Sequence, residues 1–316
     1  MRELTPVETV TSVHLPDLKA RRSRHEGLSR RRRPSGSTEP TWSGFAHTGA
    51  RKASCRREGA SRGRRIDKED TLTEYRKYLR NQTLPGMSEM QTDQMKGLPI
   101  PPIEKPVPEG AALIDLPSPE SVASWEVTVV EALASRKSRR EYGDGALSCE
   151  ELSFLLWATQ GVTGLIRGGL VTERTVPSGG GMHPFETYLA IRRVDGLLAG
   201  LFRYVATRHQ LLPLGSPGDG PSLGEICNGQ RFVDRAAAVF VWAARPYRTE
   251  YRYGDDALKD LLISVGHVCQ NLYLACEAIG AGTCAVLAYQ QDPLDRFLGV
   301  DGHDEIPIYL APVGRP

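Results

Sequence analysis

The sequence has no run of about 18 apolar residues, so it predicts no membrane-spanning helix. Its N-terminus also has no apolar stretch of the kind that a secretory signal peptide needs. A twin-arginine signal is not predicted either, because the N-terminal arginines are followed by more polar and basic residues. These absences lead us to expect a cytoplasmic protein.

Cysteine is scarce, with six residues in the chain, and none of them forms a C-x-x-C pair. No group of histidines and cysteines has the spacing of zinc ligands, so we expect no metal site. The cysteines are expected to be small buried residues in a reducing compartment. No Ser/His/Asp set and no pair of carboxylates can be assembled from the spacing, so no catalytic residue is predicted on that basis.

Charge divides the chain into unlike parts. Residues 1–65 carry 16 Lys and Arg against 6 Asp and Glu, a net charge of +10, whereas the remainder has 24 against 32, a net charge of −8. The first part has no apolar periodicity and is predicted to be a disordered basic extension. It is either an arm for nucleic acid or another anionic surface, or an extension without function. Residues 66–120, rich in proline, are predicted to be an extended lead-in with one short helix at 71–80 and a short strand near 113–117. Residues 121–316 are predicted to form the folded domain.

The folded domain mixes helical and strand patterns. Helical spacing of apolar residues begins at 127–135, and Ser148 with Glu151 forms a capping box ahead of a helix that ends near Gly161. A third helix over 257–279 is apolar nearly all round, which favours a central or interface position. Strands are predicted at 187–193, 200–205, 210–214, 236–243, 285–288 and 306–313. The pattern indicates an α+β fold with a sheet covered by helices.

Three stretches could hold a phosphate-bearing cofactor. Residues 135–142 concentrate four cations and two serines just after a helix, and the planar guanidinium fork of arginine suits phosphate. Residues 174–186 contain Pro-Ser-Gly-Gly-Gly, whose backbone can approach a flat ligand closely. Residues 310–316 end in Gly-Arg-Pro. Taken singly, these stretches could instead be a solvated turn, a flexible loop and a stray terminal arginine.

Two histidines are candidates for separate roles. His183 lies in the glycine-rich stretch, where it is a weak candidate for facing a substrate. His267 follows Gly266 in the long predicted helix, where we expect a buried, hydrogen-bonded structural histidine.

Taken together and in order, these stretches resemble the nitroreductase-like superfamily, and within it the SagB-type dehydrogenases. Residues 132–140 resemble the family's leading arginine-serine motif, and residues 152–161 its helix ending in Trp-Ala-x-x-Gly. Residues 174–186 are similar to its Arg-x-x-Pro-Ser-x-Gly loop, residues 266–272 to its interface helix, and residues 280–285 and 310–316 to its closing segments. The resemblance covers about residues 70–316 and leaves out the basic arm.

The resemblance implies a nitroreductase-like fold with a central mixed or antiparallel sheet, working as a homodimer around FMN. It implies a hydride moved through flavin N5 between NADH, NADPH or a substrate carbon and an acceptor. In this interpretation cations and a serine hold the phosphate, the glycine loop comes from the partner subunit, and backbone donors face N5. The cofactor-binding residues implied are Arg136, Lys137, Ser138, Arg140, Pro177, Ser178, Gly179, Leu287, Ala288, Gly314 and Arg315.

Two departures from the family pattern concern the substrate. The family loop usually carries Ala or Ser after Pro-Ser and an aromatic residue before the next proline, where this chain has Gly179 and His183. The Lys-Tyr pair of azoline-oxidising SagB enzymes has one adjacent match here, Lys77-Tyr78, outside the core motifs. The substrate, small molecule or modified peptide, therefore stays open. An alternative function is a catalytically inactive scaffold in a biosynthetic complex, and a third is nucleic-acid binding through the basic arm.

Overall fold

The computed structural model describes residues 79, 91–119, 127–216 and 218–316, all within one compact unit, Arg64–Pro316. The predictions for residues 1–65, for the short helix at 71–80 and for the Lys77-Tyr78 pair fall outside the described residues, apart from Leu79. Within the described part, residues 91–119 contain one two-residue strand, and the remainder is turn or irregular backbone.

Nine strands and seven α-helices form within the described residues. The strands are β1 Ile114–Asp115, β2 Val162–Ile166, β3 Val171–Arg174, β4 Phe185–Ile191, β5 Gly200–Val205, β6 Gln210–Gly215, β7 Ala238–Ala244, β8 Gly282–Thr283 and β9 Ile306–Gly314. The helices are α1 Val129–Ser135, α2 Cys149–Gln160, α3 Leu223–Ile226, α4 Phe232–Arg235, α5 Pro246–Tyr253, α6 Ala257–Ala278 and α7 Gln291–Leu298.

Seven of these strands form one antiparallel sheet in the order β1-β6-β5-β4-β7-β9-β8, and β2 pairs with β3 as a separate hairpin. Every residue of β7 is buried, as its continuous apolar run predicts for a strand covered on both faces. Phe240 and Trp242 face a core shared with α2 and α6. Val239 and Val241 face a second core shared with α3 and α7. The α+β prediction is confirmed, and the sheet is antiparallel throughout.

Helix ends follow the local sequence. The Ser148 side chain accepts from the Glu151 N–H, and the Glu151 side chain accepts from the Ser148 N–H, which completes the predicted capping box of α2. At the end of α6, Gly280 has φ of +65°, and its N–H donates to the Glu277 carbonyl while Ala281 N–H donates to the Cys276 carbonyl. This is a Schellman motif, in which glycine supplies the left-handed residue.

The long helix α6 lies against the sheet on one side only. Leu261, Val265, Val268 and Leu272 are buried in the core. Three of its other apolar residues are exposed on the single chain, at 43%, 57% and 51% for Leu258, Leu262 and Ile263. Apolar side chains in contact with water along the longest helix are typical of a surface that another protein covers.

Two expectations about local structure are wrong. Residues 285–288 do not form a strand, because only Val286 pairs with β9, through a single bridge to Leu310, and the short strand β8 precedes them. His267 is exposed rather than buried, because it lies on the face of α6 that points away from the sheet. The cysteine expectation holds for Cys227, Cys269, Cys276 and Cys284, which are buried free thiols; Cys149 is half-buried and Cys55 lies outside the described residues.

Candidate functional site

The cationic stretch at residues 135–142 follows α1 and is fixed by its neighbours in the fold. Ser138 bridges Thr283 of β8, and the Tyr142 hydroxyl donates to the carbonyls of Arg139 and Pro312 at 2.8 and 3.0 Å. Arg139 turns inward and pairs with Glu277 at 3.2 Å. Because both flanks are held, the side chains between them are presented from a defined backbone.

Tyr273 of α6 lies at the centre of this region, and the sequence had not singled it out. Its hydroxyl is 3.0 Å from Ser138 Oγ and accepts from the Ala285 N–H at 2.9 Å. The Arg136 guanidinium lies 5.4 Å from the centre of its ring, within cation–π distance. Tyr273 therefore connects the cationic stretch with the segment that leads to Leu287 and Ala288.

Three cations of this region lack an acidic partner. Arg136, Lys137 and Arg140 have no carboxylate within 4.0 Å among the described residues. Lys137 and Arg140 are exposed and Arg136 is half-buried. We call these three residues the open cation cluster. An uncompensated group of cations beside a hydroxyl and a helix is suited to bind a multiply charged anion such as phosphate.

Segment 285–288 offers backbone donors next to this cluster. Val286 exchanges backbone hydrogen bonds with Leu310, which fixes the segment against β9. Leu287 is 69% exposed and Ala288 is also exposed, and within the described residues neither N–H has an acceptor. The Ala288 carbonyl accepts from Gln230 at 3.1 Å. Two adjacent N–H groups are therefore free to donate to a ligand.

The predicted C-terminal contact to the phosphate, Arg315, already has partners within the domain. Gly314 is the last residue of β9 and lies against the Tyr142 ring, where a Cβ would come within 2.9 Å of the ring. Arg315 pairs with Glu151 and donates to the Ile279 carbonyl at 2.5 Å. Its charge is therefore already compensated by Glu151, unlike the charges of the open cation cluster.

The glycine loop, residues 177–181, contacts α6 at Ser264, away from the open cation cluster. Ser178 Oγ accepts from the His183 N–H at 3.1 Å and is 3.5 Å from Ser264 Oγ of α6. Gly179 lies against the Asp260 carboxylate, so that a Cβ there would collide with it. A residue with a Cβ at this position would require the Asp260 side chain to move. Burial raises the pKa of Asp260.

A single chain does not bring the loop and the open cation cluster together. The loop contacts α6 at Ser264, and the cationic stretch contacts it at Tyr273. Nine residues of helix separate these positions by roughly 13 Å along its axis. The predicted site residues therefore form two groups, Pro177, Ser178 and Gly179 in one and the remaining eight in the other.

His183 is buried and strained rather than free. Its φ is +42°, and burial, followed by the nearby Arg174 charge, lowers its pKa to about 3. The imidazole is consequently neutral at neutral pH. It lines a pocket beside the glycine loop, so it stays a candidate for facing a substrate, as a neutral group.

The structure also contains a charged network that the sequence did not indicate. Glu186, fully buried on β4, pairs with Arg248 at 2.5 Å and Arg203 at 3.2 Å. Lys105 of the lead-in donates to Glu305 at 2.7 Å and to the Tyr188 hydroxyl at 3.1 Å. Arg203 also donates to the carbonyls of Lys105 and Pro106. We call these residues the closed ion network, because each charge meets an opposite one.

No group of His, Cys, Asp and Glu within the described residues could hold a metal ion. None of the helices that the structure describes is long and apolar enough to cross a membrane.

Comparison with known proteins identifies the family. A profile described as the nitroreductase family matches residues 133–315. The chain belongs to the nitroreductase family. The match begins within α1 and ends at Arg315, so it contains both groups of candidate site residues and leaves out the lead-in and the basic arm.

Three relatives, each itself named a putative nitroreductase, support this membership. One from Methanocaldococcus jannaschii is 35% identical over 190 residues, which cover 60% of this chain and 92% of that protein. A crystal structure from Ralstonia eutropha is 27% identical with a TM-score of 0.53, covering 69% of this chain and 98% of that one. One from Anabaena variabilis is 26% identical with a TM-score of 0.54 over 66% of this chain. The chain spans 42% of the Anabaena structure's length. These matches agree with a nitroreductase fold.

The residues present fit the cofactor that the family resemblance implies. The open cation cluster has charge to offer a phosphate, Ser138 adds a hydroxyl, and Leu287 and Ala288 add backbone donors. This donor set matches a molecule with a phosphate at one end and a hydrogen-bonding ring at the other.

Proposed function

We propose that this member of the nitroreductase family is an FMN-dependent oxidoreductase, related to the SagB-type dehydrogenases, whose two active sites form in a homodimer. The observation that carries the proposal is the open cation cluster: three cations without a carboxylate partner among the described residues, of which Arg136 lies over the Tyr273 ring, and two backbone donors without acceptors in the segment that Tyr273 contacts. When bound, the flavin would supply the redox chemistry by passing a hydride through N5 between NADH, NADPH or a substrate carbon and an acceptor.

The chain's own residues would bind and orient the cofactor. Arg136, Lys137 and Arg140 would hold the ribityl phosphate, with Ser138 as a neutral donor. Tyr273 would keep Ser138 and Arg136 in place, since its hydroxyl and its ring contact one each. Arg315 would contribute less than the open cation cluster, because Glu151 already neutralises it.

Backbone donors would face the ring system. The N–H groups of Leu287 and Ala288 have no acceptor among the described residues, and the bridge at Val286 holds the segment in place. Donors of this kind cost no rearrangement when charge develops on a ring nitrogen, because they are already oriented.

The partner subunit would complete each site. In one chain the glycine loop contacts α6 roughly 13 Å from Tyr273, so Pro177, Ser178 and Gly179 do not reach the open cation cluster. Exposed Leu258, Leu262 and Ile263 give α6 an apolar face for a second copy. Pairing through this face would bury it and bring the glycine loop of one chain toward the cluster of the other.

The visible absorption spectrum of the purified full chain tests the proposal. We expect flavin bands, FMN released at about one per chain, bleaching by NADH or NADPH, and sedimentation at twice the mass of the 34.7 kDa chain. A protein that stays colourless after incubation with excess FMN would contradict the enzyme and leave the scaffold alternative. Flavin bound to a monomer would contradict the shared site alone.

A further inference from the structure

A pocket of about 370 Å³ opens beside the glycine loop. The loop forms one wall with Ser178 and Gly180, and the hairpin of β2 and β3 forms another. Three arginines line it: Arg167 at the hairpin turn, Arg174 at the end of β3 and Arg252 on α5. The volume is in the range of small-molecule sites.

None of these arginines has a carboxylate partner within the described residues. Arg174 donates only to neutral groups: Gln160 Oε1 at 2.8 Å, Thr172 Oγ1 at 3.1 Å and the Ile103 carbonyl at 3.3 Å. Arg252 lies 3.5 Å from the Gly180 carbonyl and over the Tyr253 ring. Arg167 is exposed, with φ of +53°.

The remaining titratable groups of the lining do not neutralise this charge. His183 is uncharged at neutral pH because burial holds its pKa near 3. Glu173 is the one acid that the described lining contains, and its carboxylate lies over Gly164, the residue opposite it in the hairpin. Glu104 and Glu186 lie near enough to Arg174 to offset part of its charge. Arg167 and Arg252 therefore carry the charge that an oxyanion would compensate through the guanidinium forks.

We propose that this pocket binds an oxyanion, a carboxylate or a phosphate, carried by the molecule that exchanges a hydride with the flavin. The inference rests on the proposed function, because the loop that lines the pocket is the one expected to lie along the flavin in the dimer. It names a substrate class for the site: small molecules with one anionic group near the reacting carbon or acceptor group. Arg167 and Arg252 are the residues that select it.

Calorimetric titration of the full chain loaded with FMN tests the pocket. The probes are benzoate, its uncharged analogue benzamide, phenyl phosphate, NADH and NADPH. We expect an anion to bind, and Arg252→Gln and Arg167→Gln each to weaken its Kd roughly tenfold. The matched control is Arg296→Gln, which removes the same charge from the exposed face of α7 and is expected to leave Kd unchanged.

The choice of probes also distinguishes which molecule carries the anionic group. Benzoate bound in preference to benzamide assigns the oxyanion to the substrate or acceptor, whereas NADPH bound in preference to NADH, lost in Arg252→Gln, assigns it to the nicotinamide donor. The proposed oxyanion site is contradicted if flavin-loaded protein binds none of the anions, or binds them equally well after both substitutions. The flavin spectrum of the same sample reports on the proposed function separately.

Discussion

Cations lie near both ends of strand β9, and their surroundings differ. Where β9 begins, Glu305 belongs to the closed ion network, in which Glu186 and Glu305 meet Lys105, Arg203 and Arg248. Where β9 ends, no carboxylate among the described residues lies within 4.0 Å of the open cation cluster. In the first set Lys105 is half-buried and the other four residues are buried, whereas the second set is largely exposed to water.

The cations of the two sets differ in charge compensation and not in residue type. In the closed ion network both arginines also hold lead-in carbonyls against the sheet, Arg248 that of Pro102 and Arg203 that of Pro106. The network therefore fastens residues 101–107 to the domain. In the open cation cluster the charges have no such role, so a ligand is free to use them.

The largest effect is expected at the centre of the closed ion network. Although burial alone would raise it, the charges of Arg248 and Arg203 hold the pKa of Glu186 below its ordinary value. Glu186→Gln would leave two buried guanidinium groups uncompensated and lower the free energy of unfolding by about 3–5 kcal/mol. Urea unfolding of the full chain at one protein concentration measures this.

Asp195→Asn is the matched control, since it makes the same change at an exposed position. It is expected to alter the free energy of unfolding by less than about 0.5 kcal/mol. If the two variants unfold alike, the closed ion network does not stabilise the fold and the comparison fails.

A smaller effect is expected at His183, a buried base near the Arg174 guanidinium. Its folded pKa of about 3 lies below the value of 6.5 for a free histidine, so the unfolded chain binds more protons between those values. Stability is therefore complete above pH 6.5 and falls as the pH drops, by about 1–2 kcal/mol at pH 5. His183→Asn, which tolerates the positive φ, should remove this part of the pH dependence.

Unfolding followed from pH 7 to pH 5 measures this slope for the wild-type chain and for His183→Asn. A slope that stays unchanged in His183→Asn would show that its imidazole is not held neutral by the fold.

The parts of the fold that depend on local pattern could be predicted from the sequence. β5 has the predicted bounds, the capping box of α2 forms as expected, and the all-apolar strand β7 is buried in the sheet. These features follow from alternation, capping chemistry and hydrophobic runs, all of which are visible over a few residues.

The parts of the fold that depend on contacts between residues distant in sequence could not be predicted. The run 285–288 resembles a strand in composition, but its position is set by Tyr273 and by the bridge to Leu310. The closed ion network joins residues up to 200 positions apart, as between Lys105 and Glu305, so no spacing reveals it. His267 was misplaced because a helix that is apolar nearly all round does not show which face meets the sheet.

For the candidate site, the sequence indicated the residue types but not which charges are free. Nothing in residues 135–142 shows that Arg139 turns inward to Glu277 while its neighbours face outward. In the same way, Arg315 looks like a phosphate ligand until Glu151 is found beside it. Only the folded arrangement separates cations that stabilise the domain from those available to a ligand.

The central claim is that the open cation cluster binds the cofactor's phosphate, and one comparison tests it most directly. FMN and riboflavin differ only by that phosphate, and flavin fluorescence gives the Kd of each. We expect wild-type protein to bind FMN at least roughly tenfold more tightly, and the Lys137→Gln/Arg140→Gln double variant to bind both alike with unchanged stability. A double variant that keeps the full preference for FMN would contradict the account.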